Sequence, residues 1–299
     1  MPDPGTDFAA RCMAVCKGFR AEGEPIHGRK SELLHGEVGG EPVIAKRLLK
    51  PNAVWEWYLA REIAIYRAFS AHPPGVRFPR LFGADDHVLV IERFVGEPLA
   101  TKRRPDAALP IRTISALISM HDQLAHWPGK PVLPVPSLRV RAQLRERLLE
   151  DPTSPWIRDG VRLCAKRGLL PEDTARLIDE TLGAYTPATF SHGDLLLRNV
   201  IGVGEDDEDI GLIDWECAGS HAHDWDLALL WTQLAPAART IVEDAVRDSS
   251  IRWRAFLGIV AFALARELKF LDAFGPGSES DKARLREEIA AVATRITRD

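Results

Sequence analysis

No stretch of this sequence is apolar for long enough to cross a bilayer. The longest candidate, Ala255 to Ala265 between Arg254 and Arg266, falls well short of the ~20 residues a spanning helix needs and reads as a buried helix. A membrane partner is therefore not expected. Cysteine is scarce, with only Cys12, Cys16, Cys164 and Cys217, and none forms a C-x-x-C pair. Cys12 and Cys16 stand at helical spacing, which reads as packing, and the whole pattern suits a reducing cytoplasm. Positive charge is not in excess. Lys and Arg number 39 against 43 Asp and Glu, a net charge of −4, and this argues against a nucleic-acid binder. Residues 1–10 carry Pro and Asp and no apolar core, so no signal peptide is expected. There is no internal repeat and no low-complexity segment. With 45% hydrophobic residues over 299 positions, the chain has material for a substantial core and for one large or two medium domains.

What is present centres on Ser191-His192-Gly193-Asp194-Leu195-Leu196-Leu197-Arg198-Asn199 and, shortly after, Gly211-Leu212-Ile213-Asp214-Trp215-Glu216. Val200 to Val203 and Ile210 to Ile213 are mostly β-branched and apolar, while 204–209 is polar and acidic, so the pair predicts a hairpin. A hairpin would set Asn199 at its entry beside Asp214 at its exit. A carboxamide and a carboxylate so placed suit a hard cation such as Mg²⁺, which is usually held by one or two carboxylates plus substrate phosphates.

The pattern resembles the catalytic core of kinases, in which an Asp positions the hydroxyl nucleophile and an Asn five positions on, with a later Asp, binds metal. Here the motifs read H-G-D-x-x-x-x-N and I-D-W-E rather than H-R-D and D-F-G. Those are the forms of the aminoglycoside phosphotransferase and choline kinase family, small-molecule kinases with a protein-kinase-like fold. The resemblance implies a bilobal α+β architecture. Residues 1–96 would form an N-lobe with an antiparallel sheet and one long helix, and residues 97–299 a mostly helical C-lobe. It also implies ATP and Mg²⁺, with Asp194 as catalytic base and Asn199 and Asp214 as metal ligands.

The first hundred residues can be read against that implied lobe. Asp7 to Phe19 has a helical pattern. Residues 25–48 read as strand, turn, strand, turn, strand, with a tight turn at Gly39-Gly40. The Gly28 to Ser31 turn would sit over the phosphates, where backbone N–H groups and the Ser31 hydroxyl can donate; a plain hairpin turn is the alternative. Val43-Ile44-Ala45-Lys46 resembles the V-A-I-K strand that presents a lysine to the α- and β-phosphates. Glu62, inside a predicted helix from Ala53 to Phe69, is the expected partner of Lys46, with Glu56 as competitor. Phe78 to Ala84 and His87 to Phe94 read as strands, and the hinge from Glu92 through Phe94 to Glu97 would hold adenine.

Helices are predicted over 109–127, 140–149, 156–166, 171–182, 223–234, 237–246, 251–273 and 281–296. His192 is expected to be structural. His221-Ala222-His223-Asp224-Trp225-Asp226 has the residue types of a metal cluster but lacks supporting ligands nearby in sequence. Asp226-Leu227-Ala228 matches the end of the G-D-P-x-x-D-L-A segment of the family, which implies that Asp226 bonds the catalytic-loop backbone. About a dozen residues separate Asp214 from Asp226, with no A-P-E signature, which leaves little room to dock a peptide. A small molecule bearing a hydroxyl is the expected acceptor, an aminoglycoside or other antibiotic. Choline, homoserine or sugar phosphorylation is the alternative, and a nucleotide-binding pseudokinase a further one. Glu150, Asp151, Asp159, Glu172, Asp173, Glu216 and Glu267 are candidates for an acidic, amine-binding pocket. A monomer or homodimer is expected.

Overall fold

The computed structural model describes residues 4–28, 30–102, 104–129, 131–147, 156–184, 188–204, 206, 209–274 and 279–298. Helix α1 (Pro4–Val15) leads into strands β1 (Phe19–Ala21), β2 (Ile26–His27), β3 (Ser31–Val38) and β4 (Glu41–Leu48). Helix α2 (Ala53–Ala71) follows, then β5 (Leu81–Ala84) and β6 (Val88–Glu92). The sheet is antiparallel throughout, in the order β1-β3-β4-β6-β5, with β2 paired to the start of β3. Its central hairpin turns at Gly39 and Gly40, with φ of 62° and 87°, which glycine adopts without a Cβ clash. The leading helix is shorter than its sequence pattern suggests. It ends at Val15, Gly18 turns the chain at φ 87°, and Phe19 begins a strand opposite Val38.

Alternation along β4 divides the two sides of the sheet. Val43 and Ala45 pack with Leu34, Val88 and Val90 under Phe8, Cys12 and Cys16 of α1. Lys46 points to the opposite side, where α2 lies. Asn52 caps α2 by accepting from Val54 N (3.1 Å) and Trp55 N (3.2 Å). This helix is buried around most of its circumference, which includes Trp57, Tyr58, Arg61, Glu62, Ile65 and Phe69.

The rest of the chain is mainly helical: α3 (Ile111–Ala125), α4 (Leu138–Arg147), α5 (Trp156–Lys166), α6 (Glu172–Ala184), α7 (Trp225–Trp231), α8 (Pro236–Val246), α9 (Ser250–Phe274) and α10 (Glu279–Arg298). The predicted apolar run lies in the middle of α9, where Phe256, Leu257, Val260, Ala261 and Leu264 are inaccessible or nearly so. Two short ribbons interrupt the helices. Strands β8 (Val200–Gly202) and β9 (Ile210–Leu212) form the predicted hairpin. A second ribbon, β7 (Ala188–Ser191) with β10 (Gly219–Ala222), was not anticipated, because its eight residues carry little β propensity.

The ribbons are nested. Ser191 pairs with Gly219 at one end, and Val200 pairs with Leu212 at the other. Residues 192–199 and 213–218 therefore span the same gap side by side. The crossing from the sheet to the helical part is equally close. Leu99 N donates to Val200 O (2.9 Å), Gly202 N donates to Glu97 O (3.0 Å), and a Cβ on Gly96 would lie 1.7 Å from Gly202 O.

Candidate active site

The loop at 192–199 is fixed by hydrogen bonds from three directions. Asp226, at the start of α7 and inaccessible to solvent, accepts from His192 N (2.7 Å) and Gly193 N (2.9 Å). Trp225 Nε1 donates to Gly193 O (2.9 Å). Gln233, just beyond α7, accepts from Leu197 N (2.7 Å) and donates to Leu195 O (3.1 Å). Gly193 has φ 83°, and a Cβ there would meet Cys217 O at 2.3 Å and His221 Nε2 at 2.6 Å, so glycine is required on both counts. His192 is structural, as expected. Its Nε2 lies 2.9 Å from Ile213 O, its Nδ1 lies 3.3 Å from Asp194 N, and its ring centroid is 4.6 Å from that of Trp215. Trp215 is fully buried, donates to Leu212 O (2.9 Å), and seats the second loop.

Asp194 and Asn199 meet across the turn. Asn199 Nδ2 donates to Asp194 O (2.9 Å) and to its carboxylate Oδ2 (3.2 Å). This fixes the amide orientation and leaves Asn199 Oδ1 as a hard oxygen donor. Asp214 follows directly, since Ile213 N donates to Asn199 O (3.0 Å). Asp214 has φ 62° and ψ 60°, a left-handed conformation that Asp tolerates better than most residues and that concentrates at functional sites. The donor set of Asn199 and Asp214 fits Mg²⁺, which favours all-oxygen ligands.

Lys46 reaches this group from β4. Its Nζ donates to Glu62 Oε2 (2.7 Å), Asp214 Oδ1 (2.8 Å) and, more weakly, Glu216 Oε2 (3.4 Å). Glu62 is the partner, whereas Glu56 is exposed in the first turn of α2. Arg61, next to Glu62 and 2% exposed, donates to Glu216 O (3.2 Å) and Ala218 O (2.7 Å), so α2 grips the second half of the Asp214 loop. Lys30 descends from the turn before β3 to pair with Glu216, its Nζ 5.5 Å from the Trp55 ring centroid.

Electrostatics follow from this packing. Burial works against the charge on Lys46, but Asp214, Glu62 and Glu216 outweigh it and hold its pKa well above the usual value. Lys30 is raised in the same way: burial opposes its charge, and Glu216 and Asp214 prevail. Burial alone would raise Asp214, yet Lys46 and Lys30 hold it well below the usual carboxylate range. Glu62 is pushed by burial up to about 7, against the pull of Lys46. Burial also raises Asp226.

The remaining sequence-derived candidates are placed as follows. Ser31 begins β3 with its carbonyl accepting from Gly28 N (2.8 Å). Arg29 of that turn lies outside the described residues, and among those described it is Lys30 that reaches the carboxylates. Glu92 ends β6. Its N–H donates to Arg80 O (2.8 Å) and its side chain accepts from Arg80 N (3.1 Å). Phe94 packs on Gly211, where a Cβ would lie 2.3 Å from the ring. Of the residues expected to form an acidic acceptor pocket, Glu172, Asp173, Glu216 and Glu267 have described side chains. Glu150 and Asp151, and the side chain of Asp159, lie outside the described residues. Glu172 and Asp173 border a separate cavity between α6 and α10. Glu216 is neutralised by two lysines. The groups flanking the Asp194 carboxylate are instead guanidiniums, Arg266 at 3.7 Å and Arg198 at 3.8 Å.

Sequence reasoning passed over Lys30, Gln233 and Arg266. Gln233 carried a usable signal, being two helical turns beyond Asp226 and so on the same face. Arg266 was visible only as the end of an apolar run.

The model of the phosphotransferase enzyme family matches residues 34–259. No curated protein matches the chain. Among solved structures, the GDP and kanamycin complex of APH(2")-IIia shares 14% identity, with 97% of this chain and 99% of that chain covered at a TM-score of 0.59. The macrolide 2'-phosphotransferase MphH from Brachybacterium faecium shares 16%, with 96% of each chain covered at 0.58. A candidate fructosamine-3-kinase from Thermobifida fusca YX-ER1 shares 22%, with 96% and 98% covered at 0.56. At these identities the structural likeness establishes the fold, which is kinase-like and α+β.

Proposed function

This chain belongs to the phosphotransferase enzyme family, and on that premise we propose that it is an ATP-dependent O-phosphotransferase acting on a hydroxyl of a small molecule. The observation that carries the reading is the pairing of Lys46 with Glu62 at 2.7 Å and with Asp214 at 2.8 Å, on the same loop pair that joins Asp194 to Asn199. Phosphoryl transfer asks little covalent chemistry of a protein; it asks for positioning and charge stabilisation. Lys46, steadied by Glu62, holds the donor phosphates. Asn199 and Asp214 would hold Mg²⁺, which when bound neutralises phosphate charge. Asp194 would orient the acceptor hydroxyl and take its proton at a carboxylate oxygen as the hydroxyl oxygen bonds to the γ-phosphorus and the bond from that phosphorus to the departing ADP oxygen breaks. A reducing cytoplasm suits the four unpaired cysteines, two of which, Cys12 and Cys164, burial pushes up to about 12.

Two acceptor classes remain in view, an aminoglycoside or other antibiotic and a metabolic hydroxyl compound. The arginines beside Asp194 favour the second, or an antibiotic of low positive charge. A polycation brought to Asp194 would meet Arg198 and Arg266 at contact range. The kanamycin complex is a property of that relative; the arginine pair argues for a different acceptor charge here.

The test is an ADP-release screen across aminoglycosides, macrolides, choline, homoserine and sugars, run at two ionic strengths. We expect acceptor-dependent turnover that disappears in Asp194→Asn while ATP binding persists. ATP binding with no acceptor-dependent turnover, even in single-turnover hydrolysis, would leave a pseudokinase. A polycationic acceptor whose KM rises steeply with salt would overturn the charge argument and leave the kinase assignment standing.

A further inference from the structure

The segment from His221 to Asp226 divides between two tasks. His221 and Asp226 turn toward the catalytic loop, His221 through Cys217 O at 3.0 Å. His223 and Asp224 turn the other way and meet His121 of α3, from a distant part of the chain. One ligating atom from each of His121, His223 and Asp224 lies within 4.8 Å of the other two. The two imidazole centroids are 5.6 Å apart at 59°. His121 is 1% exposed, yet among the described residues both of its ring nitrogens lack a hydrogen-bond partner, as does Nδ1 of His223. Native proteins rarely leave buried polar atoms so, and here three belong to two facing rings. Asp224, also 1% exposed, is oriented by Arg252 through bonds of 3.1 and 2.8 Å. Each carboxylate oxygen keeps a second lone pair, and Arg252 stands where an outer-shell partner of a metal ligand stands.

We propose that His121, His223 and Asp224 bind a first-row transition-metal dication of the zinc type, at a site separate from the nucleotide cleft. Two imidazole nitrogens and one carboxylate oxygen suit Zn²⁺ rather than Mg²⁺. The His223 side chain is 19% exposed, which gives the ion a way in and a water to complete its shell. The ion joins α3 to the start of α7, two residues before the Asp226 carboxylate that holds the catalytic loop. It is a brace for that loop.

The experiment uses the full chain without a histidine tag, stripped with EDTA and desalted. Zn²⁺ is titrated in competition with a chromophoric chelator, and Tm is followed with and without Zn²⁺. We expect one equivalent per chain and a raised Tm in the wild type, also with excess MgADP present. The same is expected of Asp214→Asn, which alters the nucleotide cleft. In His121→Leu, and in the more exposed His223→Asn, binding should weaken by more than about 100-fold, since loss of an outer-shell partner alone brings roughly 10–100-fold. The Tm response should vanish, and Co²⁺ should give visible absorption in the wild type but not in either variant. If a variant fails to fold, uptake by the wild type in MgADP carries the test. No uptake, equal uptake by wild type and both histidine variants, or uptake lost in Asp214→Asn alone overturns the proposal.

Discussion

Asp226→Asn separates holding the catalytic loop from merely filling space beneath it. The carboxylate accepts from His192 N at 2.7 Å and Gly193 N at 2.9 Å, with no solvent contact. Asparagine keeps one oxygen, so one bond survives, while its amide nitrogen faces the other backbone N–H. The lost bond, one made to a charged acceptor, is worth about 1.5–3 kcal/mol. The backbone donor left unpaired adds about 1–3 kcal/mol. Against these stands relief from burying a carboxylate, whose pKa burial raises. The net expectation is a loss of about 2–4 kcal/mol. The freed backbone immediately precedes Asp194, and a displacement of ~1 Å at a reacting group lowers rate by about 100-fold. Urea unfolding followed by tryptophan emission measures the first effect. ADP release with a working acceptor, at a temperature where the variant is fully folded, measures the second. A kcat within about threefold of wild type would refute the positioning argument, leaving Trp225 and Gln233 as the groups that hold the loop. Unchanged stability would refute the two-bond account itself.

Other outcomes can be stated more briefly. Lys46→Ala should raise KM for ATP and lower kcat without unfolding the sheet, and Glu62→Gln should do the same more weakly. Glu56→Gln should leave both within error, and a reversal of those two glutamates would refute the assignment. Asp214→Asn should abolish transfer in Mg²⁺ while the far-ultraviolet circular dichroism stays unchanged, so near-normal transfer would remove Asp214 from the metal site. Glu243 is 7% exposed and accepts from Trp231 Nε1 (3.0 Å) and from Arg295 (3.0 and 2.8 Å), which ties α8 to α7 and α10. Burial would raise its pKa, but Arg295 and Trp231 hold it below the usual value, so its stabilisation is present above its unfolded pKa and is lost as pH falls through the folded one. Glu243→Gln should therefore cost about 2 kcal/mol at pH 7, and urea titrations of wild type and variant should converge only once the pH has fallen below the lowered folded pKa of Glu243. A gap that persists in acid would mean packing rather than charge.

Much of the candidate site was legible because its chemistry is local. Asp194 and Asn199 share one turn, and the apolar runs on either side of the acidic 204–209 segment specified the hairpin that sets Asn199 beside Asp214. Lys46 was legible through the resemblance of Val43-Ile44-Ala45-Lys46 to the V-A-I-K strand of kinases. The choice of Glu62 over Glu56 came from the same resemblance, since the family carries its Glu just before such an apolar run. The end of α1 was not, because Gly18 breaks a helical pattern that continues past it in residue type.

Residue identity, short spacing and the family resemblance thus pointed, from the sequence alone, to the groups proposed for phosphoryl transfer and to the elements that carry them. Tertiary structure decided which of those elements meet. Lys30 and Glu216 are 186 positions apart, and Arg266 joins Asp194 from the middle of a buried helix. His121 faces His223 and Asp224 only because α3 packs beside α7. The β7–β10 ribbon exists because each strand finds the other, and its composition alone does not favour it. The periods of 3.6 and 2 residues establish the face on which a side chain stands. They do not say which face it will oppose, because that is settled by burying apolar surface over the whole chain at once. The surroundings of Asp194 were settled in that way too, with Arg198 and Arg266 brought to 3.8 and 3.7 Å from its carboxylate.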